Sequence, residues 1–360
     1  MKLLVLAQTP PPVHGQSLMV QTLLDGLPGC GIEVRHVQMR LSQSHGDIGR
    51  WRIGKPFAVA GAALRARKIA QAEKCDALYY VPAPAKRGAL YRDLLAMALC
   101  RTRGLPLVLH WHAPGLGTWV REKASAVERS LAMRAIGGAD LALVLAPELA
   151  EDAAAFSPKR IAVVTNGLAD PGPVPDRSPN PRCELLFLGS GDVEKGLFDL
   201  VDAVGILGAR RPGSFRLTFA GSFPSTKEQR LFKERSGRLG ELVRHVGFAN
   251  ELQKRALLSG SDVFCLPTRY RHEGQPLALV EALAYDLRIV TTRWRAIPGM
   301  MPPVGAWFAA AGSPVDLAAA IESAAAAPAP NGTSRSHYLG HFTLGHHLSA
   351  LKSALGSPPT

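Results

Sequence analysis

The chain has 360 residues and a formal charge of +13, from 42 Lys and Arg against 29 Asp and Glu. Hydrophobic residues make up 47% and charged residues 20%, so it can bury sizeable cores, and wholesale disorder or collagen-like repetition is excluded. The length suits two domains of ordinary size.

The first residues, 1–8, are too short for a signal peptide and read as a strand, with Leu3 to Ala7 as its apolar run. The loop TPPPVHGQ follows, and Ser17 offers a cap to a helix with Leu18, Leu23, Leu24 and Leu27 on its apolar side. Strand, loop and helix in that order open a doubly wound α/β domain. Further strands are expected at 32–37, 77–81, 105–111, 141–145 and 161–164, with helices at 58–74, 90–100 and 120–136. Residues 169–182 hold five prolines in fourteen residues, a composition suited to a semi-rigid link. After it the pattern starts over. Strands are expected at 184–188, 215–220, 242–246, 262–266, 288–292 and 307–309, and helices at 197–207 and 251–259, the latter capped by Asn250. The reading is therefore α/β: two wound domains, 1–168 and 183–340, with parallel sheets and ligands expected in a cleft between the carboxyl ends of their strands.

No stretch approaches the roughly 18 uncharged apolar residues of a membrane span. The nearest, 139–147, is short and carries Asp140, so a cytosolic chain is expected. Five cysteines stand singly without C-x-x-C, and are read as buried small hydrophobes rather than disulfides or zinc ligands. The charge is uneven: residues 35–134 contain 18 Lys and Arg but 6 Asp and Glu. That points either to an anionic partner, such as a membrane surface, nucleic acid or a phosphorylated substrate, or to a solvated basic face.

The densest chemical signal is RYRHEGQPLALVEALA, which follows a strand and leads into a helix with Pro276 suited to its first turn. The amides of Gly274, Gln275, Leu277 and Ala278 would form an anion site there, with Arg269 and Arg271 adding charge. Glu281 lies about 7 Å further along the axis, so one ligand can set a phosphate on the helix start and hydroxyls on the carboxylate. Alternatively the helix is buried and the Glu281 carboxylate finds its donors in another backbone segment. Glu273 is equally open to a functional or a solvated reading.

A second signal is LGSGDVEKGL. Gly189 and Gly191 mimic a dinucleotide fingerprint, but Glu194 fills the third glycine position and no G-x-x-x-x-G-K-[ST] exists, which disfavours nicotinamide dehydrogenases and P-loop enzymes. Lys195 at a helix mouth suits a pyrophosphate, or is one more surface lysine. His110 and His112 share one face at a strand end, where a neutral imidazole can bond a substrate hydroxyl or simply be satisfied in the core. No third metal ligand has suitable spacing. Gly15, between strand and helix, lets backbone approach a phosphate or serves the turn alone. No Gly-x-Ser-x-Gly elbow and no RNA-binding signature is present.

Taken together these segments resemble the retaining, nucleotide-sugar-dependent glycosyltransferases of family four, built as two facing Rossmann-like domains in the GT-B architecture. The likeness rests on the ordered series TNGL (165–168), FLGSGDVEKG, FAGS, VGFA, EGQPLALVEALA with seven residues between its two glutamates, IVTTRWRAIP, and a closing helix at about 341–356. That helix is expected to pack back on the first domain. The resemblance implies that Glu281 binds the donor's ribose, Lys195 its phosphates, Glu273 and His112 the transferred sugar, and that Gly15 approaches the pyrophosphate. It implies sugar transfer with anomeric retention, no metal and no cofactor, since the nucleotide sugar is a substrate. The chain departs from the family at Ser190, where an arginine is common, at Gln16, where a glycine is, and at Gly299, where an acid is. A lost arginine weakens charge neutralisation unless Arg269 or Arg271 compensates. The implied acceptor is a glycan or lipid-linked glycan for a surface polysaccharide, with Arg65, Arg67 and Lys68 able to dock on anionic lipid from the cytoplasmic side. A nucleotide-sugar epimerase of the same architecture, or a partner that binds donor without turning it over, are the alternatives. A nucleic-acid partner is not expected.

Overall fold

The computed structural model describes residues 1–39, 54–102, 104–174, 181–328 and 331–356. Residues 40–53 of the basic stretch and 175–180 of the proline-rich link lie outside the described residues. The chain forms two compact units: one comprises 1–166, 272–275 and 345–360, the other 167–271 and 276–344.

Unit one runs β1 (Lys2–Ala7), α1 (Gly15–Gly26), β2 (Glu33–Gln38), α2 (Gly54–Ala72), β3 (Ala77–Tyr80), α3 (Arg87–Cys100), β4 (Leu107–Trp111), α4 (Leu116–Glu122), α5 (Ala126–Ile136), β5 (Leu141–Val144), α6 (Ala150–Ala154) and β6 (Ile161–Val163). All pairings are parallel, in the order β2-β1-β3-β4-β5-β6. Such a sheet must be covered on both faces, and β1 shows how. Leu3, Val5 and Ala7 enter one core with Val20 and Leu23 of α1, while Leu4 and Leu6 enter the opposite core with residues of α2 and α3.

Unit two runs β7 (Cys183–Leu188), α7 (Leu197–Arg210), β8 (Phe215–Ala220), α8 (Thr226–Gly237), β9 (Val243–His245), α9 (Glu251–Ser259), β10 (Val263–Leu266), α10 (Leu277–Ala284), β11 (Arg288–Thr292), α11 (Ile297–Met300), β12 (Ala306–Ala309), α12 (Pro314–Ala326) and α13 (Thr333–His341). Its sheet is also parallel, ordered β12-β11-β10-β7-β8-β9. The last helix, α14 (Leu344–Gly356), places Leu351 and Ala354 in the unit-one core that holds Leu3 and Val5.

The strand order reverses between β1 and β3 in one sheet and between β7 and β10 in the other. Loops leaving the carboxyl ends at such a switch point diverge and leave room for a ligand. After β7 and β10 those loops are 189–196 and 267–276, the latter lending its residues 272–275 to unit one, and they carry the two strongest sequence signals.

Several local expectations are corrected. His14, not Ser17, caps α1; Ser17 instead bonds back to the His14 amide at 3.0 Å, the reciprocal half of a capping box. The helix expected over 120–136 is two, because Ser125 and Glu128 form a capping box that starts α5 afresh. Pro276 caps α10 rather than lying in its first turn. Helix α2 starts earlier than 58, with Pro56 in a first turn where a missing N–H costs little. Cys75, Cys100 and Cys265 are buried, but Cys30 and Cys183 are only half-buried. Helix α8 escaped the hydrophobic pattern because only Phe232 of its twelve residues is buried.

Candidate active site

In unit one, β4 delivers His110, Trp111 and then His112 at its carboxyl end. Strand alternation sends Trp111 onto Phe156, with ring centres 5.2 Å apart, and the two histidines to the other side, their rings 4.1 Å apart. Tyr79 Oη lies 2.6 Å from His110 Nδ1. His347 of α14 donates from Nδ1 to the Thr165 carbonyl at 2.6 Å. The Nε2 atoms of His110, His112 and His347 are buried and find no partner among the described residues. Burial, with repulsion from His347 and His14, pushes His112 down to about 3; burial likewise lowers His110 and His347. These imidazoles are therefore neutral at ordinary pH, suited to hydrogen bonding and not to carrying charge.

The short segment 272–275 belongs to this unit. His272 donates from Nδ1 to the Pro114 carbonyl at 3.2 Å. The Asn166 amide donates to Gln275 Oε1 at 2.5 Å and its side-chain nitrogen to the Gln275 carbonyl at 3.2 Å. Gly274 sits so close behind β4 that a Cβ would stand 2.5 Å from the His112 carbonyl oxygen. Glu273 is held in this strap and is 6% exposed. Gly15, the first residue of α1, is exposed.

Unit two gathers charge. After β7, the amide of Lys195 donates to Asp192 Oδ1 at 2.8 Å, and Ser190 also bonds the Asp192 side chain. Gly196 caps α7 with φ of +79°, and a Cβ there would lie 2.2 Å from the Pro267 carbonyl. Only glycine fits both demands. The Lys195 ammonium lies 5.1 Å over the Tyr270 ring. Beyond β10 the loop is tied to its neighbour: Thr291 Oγ1 donates to the Leu266 carbonyl at 2.8 Å and Trp294 Nε1 to the Tyr270 carbonyl at 2.8 Å. Arg269 pairs with Asp199 of α7, and Arg271 with Glu194 at 3.0 Å. Both arginines that could replace the one absent at Ser190 are thus already matched to carboxylates.

Pro276 has no N–H and caps α10 in an extended conformation, so the amides of Leu277 and Ala278 open the helix. Further along, Glu281 is bonded by Lys254 of α9. Sequence reasoning missed Lys254, His347 and Asn166. Their partners are 27, 182 and 109 residues away, and no local pattern marks them. Among the described residues no group of three His, Cys, Asp or Glu is placed to hold a metal ion, and no helix is long and apolar enough to cross a membrane.

Two parallel-sheet units with this layout define the GT-B fold of glycosyltransferases. Residues 182–326, the greater part of unit two, match the family model described as glycosyl transferases group 1. The chain is 29% identical over 207 residues to a protein named glycogen synthase from Mycobacterium tuberculosis, covering 55% of this chain and 49% of that one. It is 30% identical over 133 residues to the amylovoran biosynthesis glycosyltransferase AmsK of Erwinia amylovora, covering 36% and 32%. The chain thus spans half or less of the length of these curated relatives. Among solved structures, sucrose-phosphate synthase of Thermosynechococcus elongatus superposes with a TM-score of 0.75 at 15% identity, over 99% of this chain and 98% of that one. Anabaena Alr3699/HepE, solved with UDP and glucose, superposes with a TM-score of 0.69 at 17% identity over 99% and 100%. The structural likenesses establish the fold, and residues 182–326 are similar to the glycosyl transferases of group 1.

Proposed function

We propose that the protein transfers a sugar from a UDP- or GDP-sugar to a glycan or lipid-linked glycan acceptor, with retention of anomeric configuration, in the assembly of a surface polysaccharide. The observation that carries this reading is the carboxyl edge of unit two. The amino end of α10, Lys195 at the mouth of α7, and Glu281 on α10 all flank the switch point between β7 and β10. A nucleoside diphosphate needs those three things: amides and a cation for phosphate, and a carboxylate for ribose hydroxyls.

In this reading the α10 amides and Lys195 stabilise the charge that develops on the departing diphosphate, so the step requires no metal and no cofactor. Preorganised electrostatics of that kind commonly supplies the largest catalytic contribution. Glu281 holds the ribose. Glu273 and His112 contact the transferred sugar, the first as a carboxylate and the second as a neutral hydrogen-bonding group. Gly15 lets the α1 end approach the pyrophosphate. AmsK, by its name, works in polysaccharide biosynthesis, and HepE was solved with UDP; both support the reading.

The basic face belongs to the same proposal. Helix α2 contains no acidic residue and exposes Arg65, Arg67 and Lys68 beside Phe57 and Leu64. That combination suits peripheral docking on the anionic cytoplasmic face of a membrane. Equal sedimentation with neutral and anionic vesicles at low salt would reject it.

A second reading has one observation in its favour. With Ser190 in place of an arginine, and Arg269 and Arg271 each matched to a carboxylate, the chain would bind donor without turning it over. One experiment tests both: incubate the protein with UDP-, GDP- and ADP-sugars, with and without glycan acceptors, following thermal stabilisation and release of nucleoside diphosphate. Stabilisation with acceptor-dependent release supports transfer. Stabilisation without release supports the binder, and conversion of the donor without acceptor would reveal an epimerase.

A further inference from the structure

Lys254 stands on α9, yet its ammonium is bonded to Glu281 Oε1 of α10 and lies 3.0 Å from Glu251 Oε2. The Glu281 side chain is only 18% exposed, and its neighbours Leu279, Val280, Ala282 and Leu283 are buried. Burial pushes the Glu281 carboxyl up from the ordinary carboxylate range, and the Lys254 ammonium pulls it back. Two further groups bear on this spot. Glu251 reinforces the upward push on Glu281, and Tyr285, at the end of α10 and next to Arg255, feels the same charges.

A ribose offers two adjacent hydroxyls, both able to donate. An ionised carboxylate accepts from both, whereas a protonated one keeps a donor of its own and gives up acceptor capacity. We propose that Lys254 is a positioning residue for nucleotide recognition, fixing Glu281 as an ionised and oriented acceptor for a ribose diol. This rests on the ribose role given to Glu281 above. Deprived of the ammonium, a buried carboxyl takes up a proton near neutral pH. Since the ionised form binds, affinity then rises with pH and falls as pH drops through the raised pKa.

Calorimetric titration of UDP and GDP at about pH 6, 7 and 8.5 tests this, using the whole chain with Lys254→Met, Lys254→Arg and Glu281→Gln variants. For the nucleotide that the unaltered protein prefers, its affinity should vary by less than about twofold across this range. Lys254→Met should bind roughly tenfold more weakly at the lowest pH than at the highest, a one-unit protonation effect. Lys254→Arg should restore the flat profile. Equal weakening of Lys254→Met at every pH, or none, overturns the positioning role, because a merely structural loss has no reason to follow pH. If Lys254→Met does not fold, Lys254→Gln takes its place with the same expectations. The two readings separate at Glu281→Gln. Binding as tight as in the unaltered protein would sink the ribose assignment itself, whereas weak binding there with a flat Lys254→Met profile would sink only the role of Lys254. Failure of the unaltered protein to bind either nucleotide would overturn both.

Discussion

The carboxyl ends of the two sheets are furnished in opposite ways. Unit one presents neutral imidazoles, His110, His112 and His347, crowded together with their charge suppressed by burial. Unit two presents matched charges, with Lys254 on Glu281, Arg269 on Asp199 and Arg271 on Glu194. Charged groups around the carboxyl edge of the second sheet can exchange an internal partner for an ionic ligand, while the uncharged imidazoles of unit one can only donate or accept hydrogen bonds. Under the proposed function the contrast corresponds to a nucleotide end and a sugar end, and each half of it can be broken separately.

The largest effect is expected on the sugar side. Glu273→Ala should lower turnover by roughly 100- to 1,000-fold, the scale of losing one preorganised electrostatic group, while nucleotide affinity measured by calorimetry changes little. Glu281→Ala should weaken nucleotide binding by roughly 100-fold, or about 3 kcal/mol, the scale of two charge-assisted hydrogen bonds. Were the two effects interchanged, the assignment of ends would be reversed. Gly274→Ala comes next. A methyl group 2.5 Å from the His112 carbonyl must displace the strap or the strand end, at a cost of about 1–3 kcal/mol. Thermal unfolding should show that loss together with lower turnover.

The smallest effect concerns pH. The unfolded chain takes up protons on these histidines below about pH 6.5, while in the folded chain they stay neutral, His112 down to about 3. Stability is therefore complete above that higher value and is lost as pH falls towards the lower one. His347→Gln keeps a donor for the Thr165 carbonyl and removes one such group. Between pH 7 and about 4.5 its melting temperature should fall by roughly 2–4 °C less than that of the unaltered protein, the scale of 1 kcal/mol in a unit of this size.

What the sequence disclosed follows from which signals are local. Buried parallel strands such as β10 and β11 read as short apolar runs, and α9 is marked by its cap Asn250, which the structure shows paired with Gln253 in a capping box. The same kind of signal, Ser125 before Glu128, was present between α4 and α5 but was overridden by the apolar spacing across 120–136. Helix α8 is polar all round except for Phe232, so nothing periodic marked it. At the proposed site, Glu273, Glu281 and Lys195 stand out in the sequence because helix starts and glycine loops have local grammar. The ion pairs of Arg269 and Glu281, and the anchoring of His347, join residues that only the folded chain brings together.

Leu351 and Ala354 of α14 complete a core begun by Leu3 and Val5, and Gly26 of α1 is packed so tightly against Leu348 that a Cβ there would meet it at 2.5 Å. During synthesis on the ribosome, unit one emerges before unit two and waits with one wall missing until nearly 200 further residues have been made. Such a nascent chain exposes an apolar face while unit two is being made, a window open to chaperone binding.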